Sequence, residues 1–122
     1  ATVFNPAFTG TGNMEVIAYC FHDVTGYSKF GTYAGSGSAV TVTTGFQPDY
    51  VMIKSTGVEN WNIIDSVRGG DKRLYADTDG AETDESSDYV TFASTSFTIT
   101  VTGNASLNNN GDDFIYAAFK IN

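Results

Sequence analysis

The sequence has a single cysteine, a single histidine and few charged residues, which make up 16% of the chain. One cysteine excludes an internal disulfide, and Cys20 lies in an apolar run, so we predict a buried, inert thiol. Since His22 is the only histidine, a Ser-His-Asp triad could be built only around it, and no G-x-S-x-G segment supplies a nucleophile. We therefore predict a structural role for His22 and no enzyme activity.

Basic residues are also scarce, since six Lys and Arg against fourteen Asp and Glu give a formal net charge of −8. A surface of this sign repels phosphate backbones and anionic bilayers, so nucleic-acid binding is not expected. No apolar stretch approaches the roughly 18 residues of a membrane-spanning helix, so membrane insertion is not expected either. Because the chain starts without methionine, we expect N-terminal processing or a segment of a longer polypeptide.

Strand signals dominate the chain, and no apolar pattern at helical spacing lasts for three turns. In Ser96–Gly103, apolar residues alternate with threonines, as in a half-buried antiparallel strand. Met14–Phe21 and Asp113–Lys120 are apolar on both faces, which predicts central positions in a sheet. The nine predicted strand segments are Met14–His22, Tyr27–Gly35, Ala39–Gly45, Asp49–Ser55, Asn60–Ser66, Lys72–Ala76, Asp88–Ala93, Ser96–Gly103 and Asp113–Ile121.

These runs, separated by Gly, Asn, Asp and Ser, predict an all-β protein. The expected architecture is a two-layer antiparallel β-sandwich, jelly-roll-like, with about nine short strands. At 122 residues the chain is expected to form one domain, residues 1–122. The alternative is that this domain is one module of a longer protein.

Two segments of the sequence resemble each other. "GNMEVIAYCF" near the start and "GDDFIYAAFK" near the end both place an apolar run with Tyr, Ala and a closing Phe after a glycine and polar residues. The two strands could lie side by side as neighbours. Equally, the first could be the last strand of a preceding repeat in a longer protein.

The only tryptophan, Trp61, alternates with Ile63 along a predicted strand, while Asn60 and Asn62 point the other way. A tryptophan on the apolar face of such a strand favours a place in the core. The alternative is a ligand-binding surface, on which Trp61, Tyr27 and Tyr33 would stack against sugar rings.

Arg68 follows the tryptophan strand and precedes "GGD". We expect it to form a structural ion pair with Asp65 or Glu82, with a ligand contact as the alternative.

The segment "DTDGAETDESSD" concentrates carboxylates. Asp77, Asp79 and Glu82 are spaced so that they could gather a Ca²⁺ ion, which prefers six to eight oxygen ligands. An EF-hand loop has glycine at its sixth position, and the sixth residue from Asp77 is Glu82, so that motif does not match. A solvated acidic loop is favoured, and no cofactor is expected, with Ca²⁺ as the alternative.

Several motifs occur in a characteristic order. "AYCFHDVTGYSKFG" (Ala18–Gly31) is followed by "TGFQP" (Thr44–Pro48), by Trp61 with Arg68, and by a closing "IYAAF" (Ile115–Phe119). From about residue 14 to 121 the chain resembles a domain of unknown function that recurs in tail-fibre and other virion proteins of tailed phages, notably those of cyanobacteria. The segment after Arg68 is short and more acidic than in that family. The resemblance implies a phage particle component and carries no activity.

We therefore expect a phage virion structural protein, either a head decoration or a tail or tail-fibre module, that assembles by protein–protein contacts. Its partners would be other virion proteins or further copies of the chain, and it would be located in the virion, extracellular after release. The alternative is a carbohydrate- or host-receptor-binding module of a tail fibre. A hydrolase ranks last, because the carboxylate pairing that glycosidases use is not readable from the sequence.

Overall fold

Residues 17–121 are described in the computed structural model, and they form nine β-strands in two antiparallel sheets. The six-stranded sheet has the order β1-β9-β3-β4-β5-β6 and the three-stranded sheet the order β2-β8-β7. The predicted all-β, two-layer sandwich is confirmed. The strands are β1 Ser28–Ala34, β2 Val40–Thr43, β3 Tyr50–Ser55, β4 Asn62–Asp65, β5 Gly69–Tyr75, β6 Thr83–Asp84, β7 Val90–Ala93, β8 Ser96–Ile99 and β9 Asp113–Phe119.

Among residues 17–121 there is no helix long and apolar enough to cross a membrane.

The core lies between the two sheets and follows from the alternation of side chains along each strand. In β8, Phe97 and Ile99 are fully buried, while the Thr98 hydroxyl faces outward and lies 2.9 Å from that of Thr41 on β2. The predicted alternation of Ser96–Gly103 is thus confirmed, although β8 ends at Ile99. The buried apolar core comprises Tyr33, Val42, Val51, Ile53, Ile64, Tyr89, Val90, Phe97, Ile99, Leu107, Phe114, Tyr116 and Ala118.

The two sheets come into backbone contact at Gly70 of β5. A Cβ atom at this position would lie 1.8 Å from the carbonyl oxygen of Val90 on β7, so only glycine fits. The Tyr89 amide also donates a 2.7 Å hydrogen bond to the Gly70 carbonyl. Backbone contact therefore links the layers at this point.

Asn108, in the long β8–β9 connection, is fully buried and holds three loop segments together. Its side-chain nitrogen donates to the carbonyls of Ser38 (2.7 Å) and Val101 (2.8 Å), and its side-chain oxygen accepts from the Ser36 amide at 3.0 Å. Because each of these groups would be costly to bury unpaired, the network fixes the loop over the end of the core.

The prediction for the C-terminal run is confirmed, since β9 lies between β1 and β3. The prediction for the described part of Met14–His22 is wrong. Ile17–His22 forms no strand, and Ile17, Tyr19 and Phe21 are 81%, 80% and 67% exposed. The two segments are not neighbours because β1 and β3 already occupy both edges of β9. Met14–Val16 lies outside the described residues, and the preceding-repeat alternative stays a prediction.

Cys20 is exposed rather than buried. The prediction of a buried thiol assumed that its apolar run was a central strand, and the described part of that run, residues 17–21, does not enter either sheet.

Candidate functional site

One side of the six-stranded sheet is turned away from the three-stranded sheet, and we call this side the outer face. A row of apolar side chains crosses it. Residues directly opposite each other on neighbouring strands share a face. Phe30 pairs with Ala117, Ala117 with Met52, Met52 with Ile63, and Ile63 with Leu74. The row therefore crosses five strands without a polar side chain. In the described part of the chain no second sheet packs on this face.

An aromatic cluster occupies one end of the outer face. The ring centroids of Phe21 and Phe30 are 5.5 Å apart and stacked, and Phe119 meets Phe30 edge-on at 5.5 Å. The ring centroid of Tyr50 lies 6.0 Å from that of Phe119. Such pairs contribute about 0.5–1.5 kcal/mol each beyond their buried area. They hold Phe21, and with it the end of the Ile17–Phe21 segment, against the sheet.

Beside this cluster the outer face forms a groove of about 680 Å³. This volume lies within the range of small-molecule sites. None of the described residues that line it carries a charge, and we call it the apolar groove. It is lined by Tyr19, Phe21, Phe30, Gly31, Met52, Trp61, Ile115, Tyr116 and Ala117.

Trp61 lines this groove, so the prediction that it packs in the core is wrong. It is only partly buried and precedes β4, whose inward residues are Asn62 and Ile64, both fully buried. Asn62 is tolerated inside because its side-chain nitrogen donates to the carbonyls of Asn60 (2.9 Å) and Ser106 (3.1 Å). Asn62 therefore faces the core and Ile63 the outer face, which is the reverse of the orientation that apolar alternation predicts.

The other three predicted ligand-binding residues do not join Trp61. Tyr33 is buried, stacks on Phe114 at 5.0 Å, and donates a 2.6 Å hydrogen bond to the Leu107 carbonyl. Burial raises the pKa of Tyr33 far above its usual value. Tyr27 is 64% exposed and does not line the groove, and Arg68 lies in the β4–β5 turn. The four residues therefore form no single site.

Arg68 forms both of the ion pairs that the sequence suggested. Its Nε lies 2.6 Å from Oδ2 of Asp65, and its Nη1 contacts Oε2 of Glu82. Partial burial alone would raise the pKa of Asp65, but hydrogen bonds from the amide and side chain of Arg68 outweigh it and lower that pKa. Arg68 thus fixes the β4–β5 turn to the acidic segment.

The three candidate calcium ligands are separated in the structure. Glu82 pairs with Arg68, Asp77 accepts a 3.2 Å hydrogen bond from the Trp61 amide, and Asp79 is exposed. Within residues 17–121, no group of three or more His, Cys, Asp or Glu side chains is placed to hold a metal ion.

His22 is exposed, and its Nδ1 lies 2.9 Å from the carbonyl oxygen of Asp23.

Arg73 is a buried cation that the sequence analysis missed. Its guanidinium lies between the rings of Tyr75 (4.9 Å) and Tyr89 (4.4 Å) and donates to Asn62 at 3.3 Å. Its Nε has no hydrogen-bond partner among the described residues. Stacking on two aromatic faces replaces the carboxylate that a buried arginine would otherwise need. An isolated Arg in a short strand gives no sequence signal of this environment.

The groove residues Met52, Ile115 and Ala117 were also not singled out from the sequence. The available signal was that Asp113–Lys120 is apolar on both faces, which leaves one apolar side of β9 facing away from the core. The groove itself depends on the position of Tyr19 and Phe21 against the sheet.

Residues 2–122 match the family model described as "Domain of unknown function (DUF7483)". No curated protein and no solved structure gives a significant match to the chain.

Proposed function

Because the chain belongs to the DUF7483 family, whose description names no activity, we propose a function from its own surface. The domain is a structural component of a phage particle, a head decoration or a tail or tail-fibre module. It assembles with other virion proteins by protein–protein contacts through the outer face, within the virion and outside the cell after release.

The observation that supports this proposal is the composition of the apolar groove. Its aromatic and Met side chains are the types enriched at the centres of protein interfaces, where charged residues are depleted. Tyr19 and Phe21 extend this surface and are exposed. A contiguous exposed apolar patch on a chain of net charge −8 is typical of an interaction site.

The phage context comes from the resemblance of Ala18–Gly31 and the later motifs to a recurrent virion domain. Incorporation into particles tests it. Particles of a phage that carries the gene are purified, and the chain is quantified by mass spectrometry for the native protein, Ile115→Glu and Val67→Glu. Ile115 lines the groove, whereas Val67 is 86% exposed in the β4–β5 turn and does not.

We expect the native chain and Val67→Glu to be incorporated at a fixed copy number and Ile115→Glu to be lost from particles while remaining folded. A high copy number would indicate a head decoration and a low one a tail or fibre component. Absence of the native chain from particles would refute the virion role. Equal incorporation of Ile115→Glu would refute the role of the outer face.

Carbohydrate binding is the second candidate, favoured by the position of Trp61. The Trp61, Tyr19 and Phe21 rings all line one groove, and aromatic rings of this kind stack on sugar faces. Against it, no carboxylate or side-chain amide is among the described lining residues to bind hydroxyl groups. Glycan-array binding that disappears in a folded Trp61→Ala variant would favour this candidate over assembly.

A further inference from the structure

The outer face has two complementary features next to each other. The apolar groove is a depression of about 680 Å³, and the Ile17–Phe21 segment at its side presents side chains to solvent. Ile17 and Tyr19 are 81% and 80% exposed, although both are large and apolar. A surface that carries both a depression and a projection of the same chemistry is able to match a second copy of itself.

The lining of the apolar groove contributes no charge repulsion between copies, and Lys54, opposite Ile115, is a cation on the same face. The described residues that line the groove are uncharged although the chain has a net charge of −8. Asp65 lies directly opposite Tyr50 and therefore also faces outward, but its carboxylate forms an ion pair with Arg68.

In the acidic segment, Glu82 is paired with Arg68, and Asp77 accepts a hydrogen bond from the amide of Trp61, which lines the groove. Salt screens charges separated by more than roughly 8–10 Å at physiological ionic strength.

The exposed apolar area is in the range that a dimer needs. If an exposed aromatic side chain presents roughly 200 Å², Tyr19 and Phe21 together expose about 300 Å². Ile17, Ile115 and the exposed part of Trp61 bring the area to on the order of 500 Å². A standard interface buries about 800 Å² per partner, of which somewhat more than half is apolar.

We infer that the outer face is the interface of a two-fold symmetric homodimer. In it the Ile17–Phe21 segment of each copy stays beside its own groove and packs its exposed side against the apolar groove of the other copy. In such an interface the same patch serves both subunits, so a groove and a projection on one face close into a dimer rather than a chain. The inference rests on the proposed function, because it identifies the first partner of the same surface.

Sedimentation equilibrium of the full chain at increasing concentration tests the inference. The native protein is expected to reach twice the 13.0 kDa mass of the chain. Tyr19→Glu is expected to raise the dimer dissociation constant about 30-fold or more, as for the loss of a central aromatic contact. Val67→Glu adds the same charge outside the groove and should leave the constant unchanged.

Photo-crosslinking then shows which chain occupies the groove. A benzophenone amino acid replaces Ile17, which is 81% exposed and is not among the residues that line its own groove, and equal amounts of ¹⁴N- and ¹⁵N-labelled protein are mixed before irradiation. Crosslinked peptides that contain Met52 or Ile115 and combine both isotopes support the dimer. Crosslinks that never combine the two isotopes would overturn it, as would a monomer at all concentrations.

The virion role and the homodimer can be refuted independently of each other. If the native chain is monomeric and Ile115→Glu is still lost from particles, the groove binds a different virion protein and only the dimer is refuted. If the chain dimerises but is absent from particles, the dimer stands and the virion role is refuted.

Discussion

The position of Trp61 on the outer face makes a quantitative prediction when it is compared with Ile64. Ile64 is fully buried in the core, whereas Trp61 is partly buried at the groove. Replacing a buried Ile with Ala leaves a closed cavity and costs about 2–5 kcal/mol of unfolding free energy. Trp61→Ala removes a side chain that already contacts water and leaves no closed cavity, so we expect a loss of about 1–2 kcal/mol.

Urea unfolding followed by circular dichroism measures both losses. Fluorescence is unsuitable because Trp61 is the only tryptophan and the variant lacks it. Measurements are made at protein concentrations where the native chain is monomeric, since dimerisation would add to the apparent stability. Against a total stability of about 5–15 kcal/mol, the two variants are easily distinguished. A Trp61→Ala loss equal to that of Ile64→Ala would show that Trp61 is a core residue after all.

Three further results are expected. In the native protein, acrylamide should quench Trp61 fluorescence readily at low concentration and less as dimers form; quenching independent of concentration would contradict burial of the groove in a dimer. Tyr33→Phe should cost about 1–3 kcal/mol, because the buried Leu107 carbonyl loses its donor, and thermal unfolding against an exposed Tyr27→Phe control measures it; equal melting temperatures would contradict the buried hydrogen bond. Because hydrogen bonds from Arg68 lower the pKa of Asp65 in the fold, the stabilisation by ionised Asp65 should be present above the ordinary pKa of 3.8 and be lost as pH falls through the lower folded pKa. Arg68→Met removes the guanidinium and keeps the amide hydrogen bonds, so it should reduce this acid dependence in pH-dependent unfolding, and an unchanged profile would contradict the role of the ion pair.

The strands and their two-layer arrangement could be predicted because alternation is a local property. Phe97 and Ile99 reveal β8, and the apolar faces of Asp113–Lys120 reveal a central strand. The same reasoning misplaced Ile17–Phe21, because whether an apolar run enters a sheet depends on which strand edges are still free. β9 has none, since β1 and β3 pair with both of its sides.

The candidate site was harder to predict because it depends on distant partners. Asn62 faces inward only because carbonyl groups, including that of Ser106, accept its hydrogen bonds. Because Asn62 faces inward, Trp61 faces the outer side. A wrong prediction for this one polar residue therefore reverses the predicted orientation of the whole strand. The groove also needs Tyr19 and Ile115 to line the same depression, and nothing local to either residue indicates that they do.

The central position of β9 has a consequence for synthesis. β1 and β3 do not pair with each other, and β9 joins them by pairing with Ser28–Ala34 on one side and with Tyr50–Ser55 on the other. The six-stranded sheet therefore cannot close on the ribosome until the codons for Asp113–Phe119 have been translated and that segment has left the exit tunnel. Such long-range pairing slows folding. A nascent chain halted before residue 113 would leave β1 and β3 with unmatched edges, which chaperones or proteases would recognise.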